Sequence, residues 1–222
     1  ASQGVYPPGS TFKIVTSLEY IRENPNTWSN YTYQCNGSLT VVEGQKPIKC
    51  HSYRVGGDGI VSVAGAVERS CNVALMKMGQ TIGKTTFLKY MQDFNFGLKT
   101  NIDLYGEART ASLVFTEDSM GPMELATASF GQGFNVTMIQ MAAGFSSLIN
   151  GGYYYEPHMV IKITASDGSV VQNIEPRLLK QTVSESTSAK IRDYCVDVVM
   201  GEHGTGHTAR PAGYIIGGKT GT

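Results

Sequence analysis

The stretch YPPGSTFKIVTSLEYI, Tyr6 to Ile21, places a serine and a lysine three residues apart where a turn runs into a helix. Pro7, Pro8 and Gly9 punctuate the chain. Phe12, Ile14, Val15, Leu18 and Ile21 then recur at helical spacing, so a helix is expected over 10–23, up to the Asn24-Pro25-Asn26 breaker. Residues three apart on a helix share a face, which aims the Lys13 amine at the Ser10 hydroxyl. A serine hydroxyl is a weak nucleophile at neutral pH and needs a base beside it. Lysine fills that role only when burial or a neighbouring positive charge lowers its pKa. The unpaired N–H groups of a helix start also favour the anionic states of acyl transfer. Taken alone, the same two residues describe an N-cap and a solvated surface lysine, and short motifs of this kind recur by chance.

Two further triads give the pair a context. Ser70-Cys71-Asn72 lies between two helical patterns, and Lys219-Thr220-Gly221-Thr222 begins within the end of an apolar stretch, 213–220, that reads as a strand. S-x-x-K, S-x-N and K-T-G each occur once, in that order. This is the motif set of penicillin-binding proteins and class A β-lactamases, in which a serine nucleophile is acylated.

Around these motifs the blocks YPPGSTFK, VERSCN, ASFGQG (128–133) and GGKTGT, with the phrases VTMIQMAAGFSSLINGG and DLYGEA, resemble the transpeptidase domain of a penicillin-binding protein, most closely the class B, monofunctional kind. The resemblance covers almost the whole chain. It implies a β-lactamase/transpeptidase-like α+β fold, an antiparallel sheet flanked by helices. In that family sheet strands precede the nucleophile helix and follow K-T-G, so residues 1–222 are expected to be a partial transpeptidase domain, truncated at both ends, with an irregular insertion at about 28–59.

The resemblance also implies roles. Ser10 would attack a D-Ala-D-Ala peptide bond, Lys13 would take its proton, Ser70 would relay that proton to the leaving amine, Asn72 would bind the substrate amide, and Lys219 would keep the site positive. Thr220 and Thr222 would hold the substrate carboxylate, and Gly221 would leave room for it. The backbone N–H groups of Ser10 and Thr222 would form the oxyanion hole. Implied partners are peptidoglycan stem peptides, an amine acceptor strand, β-lactams, and cell-wall synthesis proteins reached through regions outside this chain. The implied location is the outer face of a bacterial cell membrane, with an anchor elsewhere. No metal or organic cofactor is called for. Competing readings are a serine hydrolase of the same fold (a β-lactamase or D,D-carboxypeptidase), a β-lactam sensor without turnover, and an inactive scaffold. A hydrolase needs a base on a water, and Glu107, Glu117 and Asp118 are the carboxylates in the long loop. Glu107, in YGEA, reads as structural.

Bulk composition fits a globular enzyme. The chain has 222 residues, 41% hydrophobic and 16% charged, enough to bury a core in one large or two small domains. Eighteen basic residues balance eighteen acidic ones, so no global field recruits nucleic acid or an anionic membrane. No run approaches the roughly 18–20 apolar residues of a membrane span. Helical patterns recur at 62–69, 72–82, 84–93, 137–150 and 186–200, and 97–122 reads as a long loop. Residues 153–164 and 169–174 flank Ser166-Asp167-Gly168 as a hairpin, in which the tyrosine run 153–155 is expected to pair across.

Four cysteines leave several readings open. Cys35 and Cys50, both within the insertion, read as a disulfide, as free thiols, or as metal ligands with His51 and Asp58. Cys71 reads as a small packing residue, with no histidine beside it. HGTGH (203–207) offers two histidines but reads as a loop, and Phe130-Gly131-Gln132-Gly133 reads as a tight turn or a wall of the substrate site.

Overall fold

The expected helix over 10–23 forms in two pieces, a 3₁₀ turn at Gly9–Phe12 and then α1 at Lys13–Glu23. The computed structural model describes residues 1–221; Thr222, with the carboxylate and oxyanion roles implied for it, lies outside the described residues. A helix on a protein surface buries one stripe, yet every residue of α1 from Lys13 to Ile21 is buried. It is the central helix, packed against α2 (Val63–Glu68), α3 (Asn72–Ile82), α4 (Lys84–Asp93) and later elements. Glu19, wholly buried in it, has no hydrogen-bond partner among the described residues, and desolvation pushes its carboxyl well above the usual range.

Phe12, between the serine and the lysine, is the anchor of this junction. Its ring packs on Phe87, Phe96 and Phe134 at centroid distances of 6.0, 5.3 and 5.0 Å. Full burial of one such side chain contributes about 1.5–3 kcal/mol. The 3₁₀ turn therefore cannot drift relative to the core.

The remaining helices are α5 (Pro122–Ala128), α6 (Met138–Ile149) and α7 (Glu185–Met200). Thr137 and Gln140 close a reciprocal capping box at the start of α6. At its end, Gly151 and Gly152 take left-handed φ of 101° and 95°. A Cβ on Gly152 would stand 1.9 Å from the Val183 carbonyl, so this stop is also a close backbone crossing. Pattern reading misses α5, a seven-residue helix at the edge of the long loop, although Pro122 at its first turn and Glu124 bonding back to Gly121 N–H are start signals.

The fold is α+β with antiparallel pairing. Its strands are β1 (Val5–Tyr6), β2 (Tyr33–Cys35), β3 (Ser38–Leu39), β4 (Ile48–Lys49), β5 (Gly59–Val61), β6 (Val136–Thr137), β7 (Tyr153–Tyr155), β8 (Lys162–Thr164), β9 (Val170–Asn173) and β10 (Leu178–Gln181). Among the described residues they form five two-stranded ladders, β1–β6, β2–β5, β3–β4, β7–β10 and β8–β9, and no larger sheet. The expected hairpin forms as β8–β9, but the tyrosine run pairs with β10, with Tyr154 fully buried. The stretch 213–220 is not a strand. A strand needs a partner ladder; among the described residues its Tyr214 and Ile215 stay exposed, and its backbone tie is Gly218 N–H to the Cys195 carbonyl (2.9 Å).

No helix of the described residues is long and apolar enough to cross a membrane.

Candidate active site

Three separate backbone devices bring the motif residues to one cleft of about 520 Å³, lined by Ser10, Lys13, His51, Ser70, Asn72, Phe130, Gln132, Thr205, Thr220 and Gly221. The first holds Ser10. Gly9 takes φ 57° and donates its N–H to the Gly131 carbonyl (2.8 Å), while a Cβ on Gly131 would lie 1.9 Å from the Gly9 oxygen. Both glycines are thus required for the loop 130–133 to clamp the serine turn.

The second device is the α2–α3 corner. Ser70 donates its N–H to Val67 O (3.1 Å) and Cys71 to Ala66 O (2.8 Å), closing α2, and α3 begins at Asn72. Ser70 itself sits at φ 56°, an uncommon conformation for a residue with a side chain. That twist turns its hydroxyl into the cleft instead of along the helix.

The third device seats Lys219. Gly217 packs so closely on α7 that a Cβ would meet Val196 N at 2.9 Å, and the Gly218 bond to Cys195 fixes the approach. A Cβ on Gly221 would stand 3.1 Å from Thr11 Cγ2, so the missing side chain also serves packing against the serine turn.

Lys13 is 1% exposed, and its Nζ donates to Ser70 O (2.6 Å), Ser70 Oγ (2.9 Å) and Asn72 Oδ1 (2.6 Å). The sequence reading aimed this amine at Ser10; in the structure its donors go to the second motif. The reason is burial: a desolvated ammonium needs an acceptor for each N–H, and Ser70 and Asn72 supply three. Asn72 is oriented in turn by Nδ2 donating to Lys49 O (3.4 Å). Lys219 Nζ donates to the same Ser70 Oγ (2.9 Å) and reaches Thr220 Oγ1 at 3.3 Å, which lies 2.8 Å from Thr205 Oγ1.

Burial, and then the Lys219 charge, lower the Lys13 pKa to about 7, while Cys50, Cys71 and Asp58 oppose the shift. Burial lowers Lys219 to about 8, with Cys195 opposing. Both amines are thus shifted toward neutrality, Lys13 further than Lys219. A neutral Lys13 has a lone pair, and the Ser70 hydroxyl can turn its hydrogen toward it while still accepting from Lys219. The arrangement is a hydrogen-bonded chain of amine, hydroxyl and amine whose Lys13 and Ser70 line the same cleft as the Ser10 hydroxyl.

No carboxylate borders this cleft among the described residues. Glu107 accepts from Thr100 N–H (2.6 Å), Thr100 Oγ1 (2.7 Å) and Asn101 N–H (3.1 Å), holding its own loop, and Glu117 pairs with Lys84 at 3.2 Å. Thr205 and His51 line the cleft without having been assigned to it from sequence. Thr205 lies inside HGTGH, a segment whose metal-ligating side chains are its two histidines. Among the described residues His203 and His207 join no cluster of metal-ligating side chains. All four cysteines are free thiols, so Cys35 and Cys50 are not bridged, and Cys71, read as a packing residue, stands in the same cluster as both. Cys50 is pushed down by its hydrogen bonds with Cys71 and His51, and Cys71 is pushed up by the first of these.

The family model described as the penicillin binding protein transpeptidase domain matches residues 1–222. The chain belongs to the penicillin-binding protein transpeptidase family. Among relatives of this transpeptidase domain, stage V sporulation protein D of Bacillus subtilis is 38% identical over 98% of the chain and 32% of its own length. The peptidoglycan D,D-transpeptidase MrdA of Acinetobacter baumannii is 27% identical over 100% of the chain and 33% of its own. The domain thus spans about one third of these relatives. Among solved structures, the D,D-transpeptidase domain of a peptidoglycan glycosyltransferase from Eggerthella lenta superposes with TM-score 0.85 at 26% identity, over 100% of this chain and 55% of that one. Penicillin binding protein 3 of Mycobacterium tuberculosis, complexed with aztreonam, gives 0.83 at 27% identity, over 100% and 49%.

Proposed function

We propose that this domain is a serine D,D-transpeptidase that cross-links peptidoglycan stem peptides. The observation that carries the reading is the Lys13–Ser70–Lys219 hydrogen-bond chain, whose Lys13 and Ser70 line one cleft with Ser10. Ser10 Oγ attacks the carbonyl carbon of the D-Ala-D-Ala bond as its proton passes to the neutral Lys13 amine. Ser70 hands that proton to the leaving nitrogen, and D-alanine departs, leaving an ester on Ser10. Asn72 hydrogen-bonds the substrate amide, and Thr220, with Thr222, holds the terminal carboxylate. Lys219 supplies positive charge to that carboxylate and to the relay. An amine from an acceptor strand then attacks the ester, forms the new amide and frees Ser10.

A β-lactam is the same acyl donor with its leaving group tethered, so it acylates Ser10 and stays. The absence of a carboxylate from the described cleft supports transpeptidation over the hydrolase reading, which needs a base on a water. The work belongs at the outer face of the cell membrane, where the stem peptides that this cleft would bind are found.

The direct test is mass spectrometry of the protein after incubation with benzylpenicillin, with D-alanine release and peptide dimer formation followed on a D-Ala-D-Ala peptide plus an amine acceptor. A persistent adduct on Ser10 with dimer formation is expected. Rapid return of free enzyme with hydrolysed drug would establish a hydrolase instead.

The two amines predict the pH dependence. Acylation needs Lys13 neutral, a form gained as pH rises through about 7, and Lys219 charged, a form lost as pH rises through about 8. The second-order rate of benzylpenicillin acylation is expected to be bell-shaped with its maximum between those values. A rate that falls as pH rises through 7 would contradict the assignment of Lys13 as base.

A further inference from the structure

Thr205 lines the cleft and has no part in the reaction above, yet its hydroxyl is one half of a pair. Its Oγ1 lies 2.8 Å from Thr220 Oγ1, across 15 residues of chain, and both side chains border the same cleft as Ser10.

The loop around Thr205 is built to present it. Gly204 donates its N–H to Gly201 O (3.3 Å) and Gly206 donates to Val198 O (2.8 Å), so both neighbours lie against the C-terminal end of α7. A Cβ on Gly204 would overlap the Val198 carbonyl, and one on Gly206 would stand 3.0 Å from the same oxygen. Arg210 fastens the far side of the loop, with Nε donating to Val199 O (2.6 Å) and Nη2 to Gly201 O (2.8 Å). Thr205 is left exposed on the cleft side.

Holding the two segments together does not account for the hydroxyl pair. Each segment has its own bonds to α7, the loop through those just named and the K-T-G end through Gly218 N–H to Cys195 O (2.9 Å). A hydrogen bond between two exposed hydroxyls also gains little over their bonds to water.

The pair does suit one carboxylate. A hydroxyl has one hydrogen to give and two lone pairs with which to accept. Thr220 Oγ1 accepts from Lys219 Nζ (3.3 Å), which leaves its own hydrogen to donate. Thr205 brings a second hydrogen. Standing 2.8 Å apart, the two hydroxyls can each take one oxygen of the same carboxylate, exchanging their mutual bond for two charge-assisted ones. Lys219 supplies positive charge behind them, and no carboxylate among the described residues borders the cleft to compete.

We propose that Thr205 is a carboxylate-binding residue of this domain. With Thr220 it forms a two-hydroxyl fork that grips the terminal carboxylate of the acyl donor and sets the preference for a free carboxylate over its ester. The role rests on the acyl-serine reading above and adds to the K-T-G end a contact from the loop 15 residues before it. Holding the donor by that end fixes where its scissile carbonyl stands relative to Ser10.

Benzylpenicillin and its methyl ester test this, because they share the acyl group and differ at the carboxylate. Acylation of the full-length protein is followed by intact mass, and the acid-to-ester rate ratio is taken within one preparation, so the folded fraction cancels. Thr205→Val keeps the shape and removes the hydroxyl. It is expected to lower the ratio about tenfold through the acid rate alone, the low end for a hydrogen bond to a charged group. Thr205→Ser is expected to keep the parental ratio. An unchanged ratio in Thr205→Val would overturn the proposal. So would acid and ester rates that fall together, the mark of a disturbed loop, or a serine variant as poor as the valine one. A parent acylated equally by acid and ester would overturn the fork and leave the acyl-serine chemistry standing, whereas a parent acylated by neither would overturn both.

Discussion

Ser10→Ala is expected to abolish covalent labelling by benzylpenicillin and leave the fold intact. Ser10 sits in a 3₁₀ turn that is held by other groups: Phe12 in its aromatic nest, and the Gly9 bond to Gly131. The N-cap of that turn is Pro8, and Ser10 lies inside it. Removing one half-exposed hydroxyl should therefore change stability by within about 0.5 kcal/mol. Intact mass after hours with the drug should show unmodified protein, and the thermal midpoint should match the parent. An adduct on the Ser10→Ala protein, whether on Ser70 or elsewhere, would mean that the nucleophile has been misassigned.

Lys13→Met is expected to slow acylation by about 10²–10⁴-fold, the usual contribution of a positioned general base. Methionine approximates the stem but has neither lone pair nor donors. The rising limb of the pH profile near 7 should vanish with the amine, because Lys13 is the group assigned to it. Stability should fall too, since Ser70 O and Asn72 Oδ1 each lose a donor, and an unsatisfied buried acceptor costs about 1–3 kcal/mol. Rates are therefore best compared on the folded fraction, measured by circular dichroism at the same temperature. A variant acylated at the parental rate, with its rising limb intact, would transfer the base role to another group, with Ser70 and Lys219 the nearest.

Local signals fixed most of the helices. Apolar spacing, with Asn-Pro after α1 and Gly-Gly after α6, was enough for α1, α2, α3, α4, α6 and α7, because periodicity and breakers act within a few residues. Seven-residue α5, beside the long loop, was legible only through its start signals, Pro122 and Glu124. The pairing of the tyrosine run could not be read locally either: the turn at Ser166-Asp167-Gly168 names one hairpin but does not say which strand lies beside Tyr154. Residues 213–220 carry the composition of a strand, yet a strand is made by its neighbour, and among the described residues no neighbour is there.

The chemistry divides along the same line. The sequence by itself determined which groups are available: a serine and lysine on one turn, a second serine with an asparagine, and a lysine-threonine-glycine end, in an order that belongs to this family. Only the tertiary structure decided which of them touch. Lys13 donates across 57 residues to Ser70 rather than along its own helix, since a buried amine takes whatever acceptors the packed core brings to it. Ser70 meets Lys219 across 149 residues. Cys71, unremarkable beside its sequence neighbours, comes to lie with Cys35, Cys50 and Asp58 because three ladder ends and a helix corner converge there. Spacing along a chain governs only what lies within a turn or two; desolvation and proton transfer depend on distances that folding alone sets.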